Sequence, residues 1–167
     1  AFLAAGGEVT GEPLIVMFGV GGAVLFGYAN FVLTGYFKDI SADRATEYNT
    51  LPVVYGRKVS AMVSNLIAAC AVGSALIAAR QIGPSQPLPG LLLLAAGLVY
   101  IVVAQVRLWS VSEDRTAHRA IAPVVHGYIL TLSGIACLRH PSWWAGFVLY
   151  YMLYRVVLKY RPAKDQL

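Results

Sequence analysis

Long apolar segments constrain this chain more than any other feature of its sequence. A helix that crosses the hydrocarbon core of a bilayer needs about 20 apolar residues, and five stretches have that character: 14–36, 58–79, 88–108, 120–138 and 142–159. Hydrophobic residues make up 58% of the 167 residues and charged residues only 13%, whereas a soluble domain carries about 25% charged residues. The sequence therefore predicts an all-α membrane protein, with one transmembrane helical domain over 1–167.

The basic residues are distributed unevenly among the segments that connect these spans. Arg80 and Arg139 lie on one side of the predicted membrane, and eleven lie on the other: Lys38, Arg44, Arg57, Lys58, Arg107, Arg115, Arg119, Arg155, Lys159, Arg161 and Lys164. Cytoplasmic loops carry an excess of Lys and Arg, so loops 37–57 and 109–119 and the C-terminus are predicted to be cytoplasmic. The net charge of +5 reflects this topology and not a nucleic-acid-binding face. We expect a prokaryotic plasma (inner) membrane protein.

Two aspartates four residues apart, each beside a cation, follow the first span. Asp39 comes after Lys38, and Asp43 comes before Arg44. If the helix continues, both carboxylates lie on one face. Mg²⁺ commonly binds through one or two carboxylates plus substrate phosphates, and the two cations suit phosphate oxygens. The spacing alone fits a solvated turn with weak ion pairs as well.

The longer sequence around this pair resembles the second aspartate-rich motif of the UbiA superfamily of intramembrane prenyltransferases. The residues that carry the resemblance are Asn30, Tyr36, Lys38, Asp39, Asp43, Arg44, Tyr48, Thr50, Leu51, Pro52, Val53 and Gly56. The resemblance implies the C-terminal part of a bundle of nine or ten helices, with span 14–36 as its sixth helix. It covers nearly the whole chain.

The resemblance also implies roles for individual residues. Asp39 and Asp43 match the aspartates that hold Mg²⁺ on an isoprenyl diphosphate, and Lys38 and Arg44 match basic neighbours of that diphosphate. Two further positions match polar residues at the mouth of the substrate cavity, Tyr36 and Asn30. The implied activity is Mg²⁺-dependent transfer of a polyprenyl group from its diphosphate to an aromatic or other lipid-precursor acceptor within the membrane.

The chain departs from the family pattern in three ways. Glu47 stands where many relatives have glycine, so we expect a reshaped or less tight turn there. The first motif, Asn-Asp-x-x-Asp-x-x-x-Asp, does not occur in these residues, so the chain holds half of a site. Span 142–159 is additional to the three helices that commonly follow the second motif. Ala1–Gly7 reads as the end of a preceding helix, so either the first motif lies upstream of it or the protein has lost catalysis.

The alternative function is a catalytically incomplete UbiA-like subunit that acts as a scaffold for other membrane subunits. A CDP-alcohol phosphotransferase also uses an Asp-x-x-x-Asp pair, but it requires upstream Asp-Gly and Ala-Arg pairs that are missing here. No span carries the row of ionisable residues expected of a transporter. His126, with Tyr128, either contacts an aromatic acceptor or bonds a neighbouring helix. Loop 109–119 is either solvated or places a basic residue on the diphosphate, and Cys70 and Cys137 are predicted to be buried free thiols.

Overall fold

The computed structural model describes residues 11–82 and 88–160, with side chains from residue 14 onward. This part of the chain contains six α-helices: α1 (Gly11–Gly35), α2 (Ile40–Ala45), α3 (Leu51–Ile82), α4 (Leu88–Trp109), α5 (His118–Arg139) and α6 (Trp144–Tyr160). Short 3-10 turns span Tyr36–Lys38, Asp114–Thr116 and Pro141–Trp143. No β-strand occurs in the described ranges, and the predicted all-α class is confirmed. The predicted helix end at Ala1–Gly7 lies outside them.

Four of the helices are long and apolar enough to cross a membrane. These candidate spans are Leu14–Lys38, Leu51–Ile82, Leu88–Trp109 and Asp114–Arg139. The fifth predicted span corresponds to α6, whose 17 residues are fewer than the ~20 that a perpendicular crossing requires. None of its residues is buried, and it makes few contacts, chiefly with α5. The crossing by 142–159 therefore stays a prediction.

The helix that follows the motif begins earlier than its hydropathy indicated. The predicted span starts at residue 58, whereas α3 starts at Leu51. Pro52 is compatible with this start because a proline in the first turn has no intrahelical N–H bond to lose. Gly56 then interrupts the helix, with φ 79° and ψ 167°. The uninterrupted part of α3 thus begins at Arg57, close to the predicted boundary.

Small residues allow α1 to approach its neighbours closely. A Cβ added at Gly19 would lie 2.9 Å from the backbone nitrogen of Ala78 in α3, and Ala23, one turn later, is buried. At Gly27, the next small position, a Cβ would lie 2.6 Å from the Tyr128 ring in α5. The stripe of small residues at every fourth position is therefore a packing surface.

A compact apolar cluster lies at the end of the bundle that carries the aspartates. It consists of Phe37, Ala61, Leu108, Val111, Ala117 and Ala120. Phe37 is fully buried, so its ring anchors the 3-10 turn after α1 against α3, α4 and the start of α5. This anchoring fixes where the next residues, Lys38 and Asp39, emerge from the bundle.

Candidate functional site

The segment that carries both aspartates, residues 36–45, forms a short 3-10 turn and the short helix α2, not an extension of α1. Phe37 and Ile40 are buried, whereas Lys38, Ser41 and Arg44 are exposed. This alternation packs one side of the segment against the bundle and exposes its polar side.

Asp39 and Asp43 lie one helical turn apart. The backbone N–H of Asp43 donates to the carbonyl of Asp39 across 2.7 Å, so Asp39 is the residue before α2 and Asp43 lies inside it. Both side chains are half-buried. The Lys38 ammonium lies 3.8 Å from Asp39 Oδ2, with both side chains about half exposed at 46% and 47%. An exposed pair of this kind is weak, so the Asp39 carboxylate remains accessible.

The Thr-Leu-Pro part of the motif orients the second aspartate. Thr50 is buried, and its hydroxyl donates to Asp43 Oδ2 across 3.1 Å. Its backbone carbonyl also accepts from the N–H groups of Val53 and Val54 in the first turn of α3. Thr50 thus connects the start of a membrane helix to the carboxylate of Asp43. Thr50 belongs to the motif that the sequence predicts, but the sequence alone indicates no role for its hydroxyl.

A tight turn ends α2 and brings Thr50 into reach. The Tyr48 N–H donates to the carbonyl of Asp43 across 2.8 Å, and the Glu47 N–H donates to that of Arg44 across 3.4 Å. This is the hydrogen-bond pattern of a Schellman motif. Glu47 has φ 57°, the left-handed conformation that glycine adopts without a steric penalty. The turn at Glu47 is therefore not less tight than the family pattern, as had been expected. Glutamate in place of glycine adopts a strained backbone conformation there instead.

The loop between α4 and α5 is attached to the motif through Asp114. Its Oδ2 accepts from the backbone N–H of Ser41 across 2.7 Å, and its Oδ1 pairs with Nη2 of Arg57. Ser41 lies in the first turn of α2, where backbone N–H groups have no helical partner. Asp114 therefore caps α2 from a segment 73 residues away.

Loop 109–119 is predicted to be either solvated or in contact with diphosphate, and the sequence alone does not indicate that Asp114 caps α2. The predicted topology did contain a usable signal, because it put this loop and loop 37–57 on the same side. The contacts of Asp114 with Ser41 and Arg57 now place both loops at one end of the bundle.

A model of the UbiA prenyltransferase family matches residues 1–124. The chain belongs to this family. The match includes the turn with both aspartates, α3, α4 and the start of α5, whereas most of α5 and all of α6 lie beyond it. Neither a curated protein nor a solved structure matches the chain. Membership in the UbiA family implies membrane prenyltransferase activity in general terms.

The donor set of the aspartate pair can be tested for its fit to a Mg²⁺ ion, the metal that the family resemblance implies. Among the described residues, no group of three or more His, Cys, Asp or Glu side chains is placed to hold a metal ion. Asp39 and Asp43 supply two carboxylates, and Mg²⁺ usually keeps several waters and binds through one or two carboxylates plus substrate phosphates. The residues present therefore fit an ion that arrives with a diphosphate.

Of the remaining predicted site residues, Tyr36 is half-buried in the 3-10 turn and Asn30 is buried. The Asn30 amide donates to Ser64 Oγ (2.8 Å) and to the Ser64 carbonyl (2.9 Å). Ser64 Oγ donates to Gln105 Oε1, and Gln105 Nε2 donates to Asn30 Oδ1 across 3.1 Å. This closed ring joins α1, α3 and α4. Asn30 also borders a cavity of about 20 Å³ beside Tyr128, which has room for about one water.

His126 interacts with a neighbouring helix. Its Nδ1 lies 3.1 Å from the hydroxyl oxygen of Tyr151 in α6, and the Tyr100 ring lies 5.1 Å from the imidazole. The sequence left two alternatives for His126, and this contact with α6 is the one in which it bonds a neighbouring helix. Contact of His126 with an aromatic acceptor stays a prediction. Both cysteines are free, with Cys137 buried and Cys70 only half-buried.

Proposed function

We propose that this chain carries the second aspartate-rich motif of a Mg²⁺-dependent intramembrane prenyltransferase. The enzyme would transfer a polyprenyl group from its diphosphate to an aromatic or other lipid-precursor acceptor. The observation that carries the proposal is the hydrogen-bonded turn that keeps Asp39 and Asp43 one turn apart. Thr50 orients the second carboxylate, and two exposed cations, Lys38 and Arg44, flank the pair.

Asp39 and Asp43 are the residues that would hold the metal. When bound, Mg²⁺ would neutralise the diphosphate and stabilise the charge that develops on the departing pyrophosphate. Two bare carboxylates one turn apart repel each other, so the pair would favour a bound divalent cation. Both side chains are half-buried at the end of the bundle, so part of each carboxylate stays open to a substrate phosphate.

Lys38 and Arg44 would bind the diphosphate from either side of the aspartate pair. Both side chains are exposed, and Arg44 can donate two parallel hydrogen bonds to phosphate oxygens. Their positive charge acts where negative charge develops as the allylic C–O bond breaks. The acceptor then forms a bond to the allylic carbon and loses a proton. Tyr36 and Asn30 are proposed to line the mouth of the cavity that holds the prenyl diphosphate substrate.

The bilayer would supply the remaining conditions for this chemistry. The candidate membrane helices offer an apolar environment for the isoprenoid tail and exclude water from a reactive allylic carbon. The motif turn is proposed to face the cytoplasm of a prokaryotic cell, as the Lys and Arg distribution predicts, where Mg²⁺ and prenyl diphosphates are available.

Substitution of the two aspartates in the full-length protein tests the proposal. Asp39→Asn and Asp43→Asn keep the shape of each side chain but remove its charge, and we expect each to lower prenyl transfer about a hundredfold or more. Glu113→Gln is the matched control, because Glu113 is an exposed carboxylate at the same end of the bundle. Retained activity in both aspartate variants, with turnover measured from a radiolabelled allylic diphosphate, would overturn the assignment.

The runner-up function is a non-catalytic subunit of a membrane complex. The observation that favours it is α6, which lies beyond the family match and has no buried residue. Its exposed apolar side chains suit a partner subunit or lipid. If the chain is a scaffold, Asp39→Asn should leave function in the cell intact and deletion of α6 should abolish it. If the chain is part of an enzyme, Asp39→Asn should abolish function.

A further inference from the structure

A polar cavity lies at the loop between α4 and α5. It has a volume of about 540 Å³ and is lined by Arg107, Ser110, Val111, Ser112, Thr116 and Arg119. Arg107 comes from the last turn of α4 and Arg119 from the first turn of α5. The cavity thus opens where two candidate membrane helices reach the same surface.

The charge of this cavity is its distinguishing feature. It has two guanidinium groups and no carboxylate in its wall. The neighbouring cavity, which shares only Ser112 with it, is lined by Arg57 and Arg115 but also by Glu113 and Asp114. Within the described ranges, the only ion pairs are Lys38–Asp39 and Arg57–Asp114. Arg107 and Arg119 therefore have no acidic partner in the part of the chain that the structure describes.

Local hydrogen bonds shape the wall of the cavity. Arg107 Nη1 donates to the backbone carbonyl of Arg119 across 3.2 Å, which holds the Arg107 side chain across the start of α5. The hydroxyls of Ser110 and Thr116 donate to the carbonyls of Arg107 and Glu113, so they stabilise the loop. The groups left to donate to a ligand are the remaining N–H groups of Arg107, the Arg119 guanidinium and the Ser112 hydroxyl.

The cavity also lies where two candidate membrane helices, α4 and α5, come together at their ends, so we expect it near the level of the lipid phosphates. Trp109, next to the cavity at the end of α4, is half exposed, and tryptophan is enriched at the level of the headgroups. Basic pockets between membrane helices bind anionic headgroups, and arginine pairs with phosphate through two parallel hydrogen bonds.

We propose that Arg107 and Arg119 form a phosphate-binding site distinct from the Asp39–Asp43 pair. Its ligand is a phosphate or diphosphate group, supplied either by the headgroup of an anionic membrane lipid or by free pyrophosphate. The site does not depend on the proposed prenyl transfer, because no residue of the aspartate pair takes part in it.

Binding to the full-length protein in nanodiscs tests this site. The first arm compares phosphatidylcholine nanodiscs with nanodiscs that contain phosphatidylglycerol, and native mass spectrometry measures how much anionic lipid stays bound. The second arm titrates inorganic pyrophosphate into the phosphatidylcholine sample by calorimetry, with EDTA present so that the aspartate pair carries no metal. Both arms use the wild type, Arg119→Gln, Arg107→Gln and the control Arg115→Gln, which alters the neighbouring cavity.

We expect Arg119→Gln and Arg107→Gln to weaken binding about tenfold, while Arg115→Gln stays within about twofold of the wild type. Loss in the first arm alone identifies a lipid headgroup, and loss in the second arm alone identifies a free phosphate ligand. Equal binding by the wild type and Arg119→Gln in both arms would overturn the proposal. Arg119→Gln decides the matter even if Arg107→Gln fails to fold, because the bond from Arg107 uses the backbone carbonyl of Arg119 and survives the change.

Discussion

The hydroxyl of Thr50 donates a hydrogen bond to Oδ2 of Asp43 across 3.1 Å. The two residues are seven positions apart and meet because the chain reverses through the tight turn after α2. The bond connects the Asp-x-x-x-Asp part of the motif to its Thr-Leu-Pro part. The two parts therefore act as one structural unit, in which the start of α3 orients a carboxylate.

Removal of this hydroxyl should impair prenyl transfer by misorienting Asp43. A hydrogen bond to a charged group contributes about 1.5–3 kcal/mol, so we expect Thr50→Val to lower kcat/KM about tenfold or more. Thr50→Ser keeps the hydroxyl and should restore most of the rate. Thr46→Val is the control, because the Thr46 hydroxyl bonds only backbone carbonyls of α2. Equal rates for Thr50→Val and the wild type would show that the bond has no role in the reaction.

Glycine at position 47 should stabilise the protein. Glu47 has φ 57°, and the left-handed conformation costs a residue with a Cβ about 1–2 kcal/mol. Part of this gain is offset because glycine loses more conformational freedom on folding, so Glu47→Gly should raise the free energy of unfolding by about 1 kcal/mol. Denaturant titration in detergent measures the change. Glu47→Ala keeps the Cβ and should show no gain, and a gain equal to that of glycine would rule out backbone strain as the cause.

A side chain at Gly56 should destabilise the connection between the motif and α3. Its φ of 79° and ψ of 167° lie in a region that is essentially restricted to glycine, where other residues cost about 1–3 kcal/mol. Gly56→Ala should lower the free energy of unfolding by that amount. Gly35→Ala is the matched control, because Gly35 has helical angles and open space around it, so alanine should be tolerated there. Equal effects at both positions would contradict the proposed strain.

Loss of the Asp114 carboxylate should loosen α2. Asp114 accepts from the Ser41 backbone N–H and pairs with Arg57, so Asp114→Ala leaves a half-buried guanidinium and a helix N–H without their partner. We expect a loss of about 1–3 kcal/mol in stability and faster hydrogen exchange at the Ser41 amide. Glu113→Ala changes an exposed neighbour and should leave that exchange rate unchanged. Exchange at Ser41 that is as slow in Asp114→Ala as in the wild type would mean that Asp114 does not cap α2.

Several features of the fold could be predicted because they depend on short stretches of sequence. Four of the five predicted spans correspond to long apolar helices, since about 20 apolar residues are a local property. The placement of Asp39 and Asp43 one turn apart was also predictable from their spacing. The helix responsible for this spacing was not predictable, because α1 ends at Gly35 and a separate short helix, α2, holds the two aspartates one turn apart. The predicted span starts at residue 58, two residues after the break at Gly56, because proline and glycine, here Pro52 and Gly56, signal an interruption of a helix.

The sequence alone determined the class of the protein, the aspartate pair and the resemblance to the UbiA family, because hydropathy, residue spacing and motif order are all read along the chain. Only the tertiary structure showed that Asp114 caps α2, that Asn30, Ser64 and Gln105 form one ring, and that Arg107 and Arg119 share a cavity. The Asp114 and Asn30 contacts join residues 34 to 75 positions apart. Their formation depends on how far each helix is rotated and which faces pack, and no local periodicity encodes those two quantities.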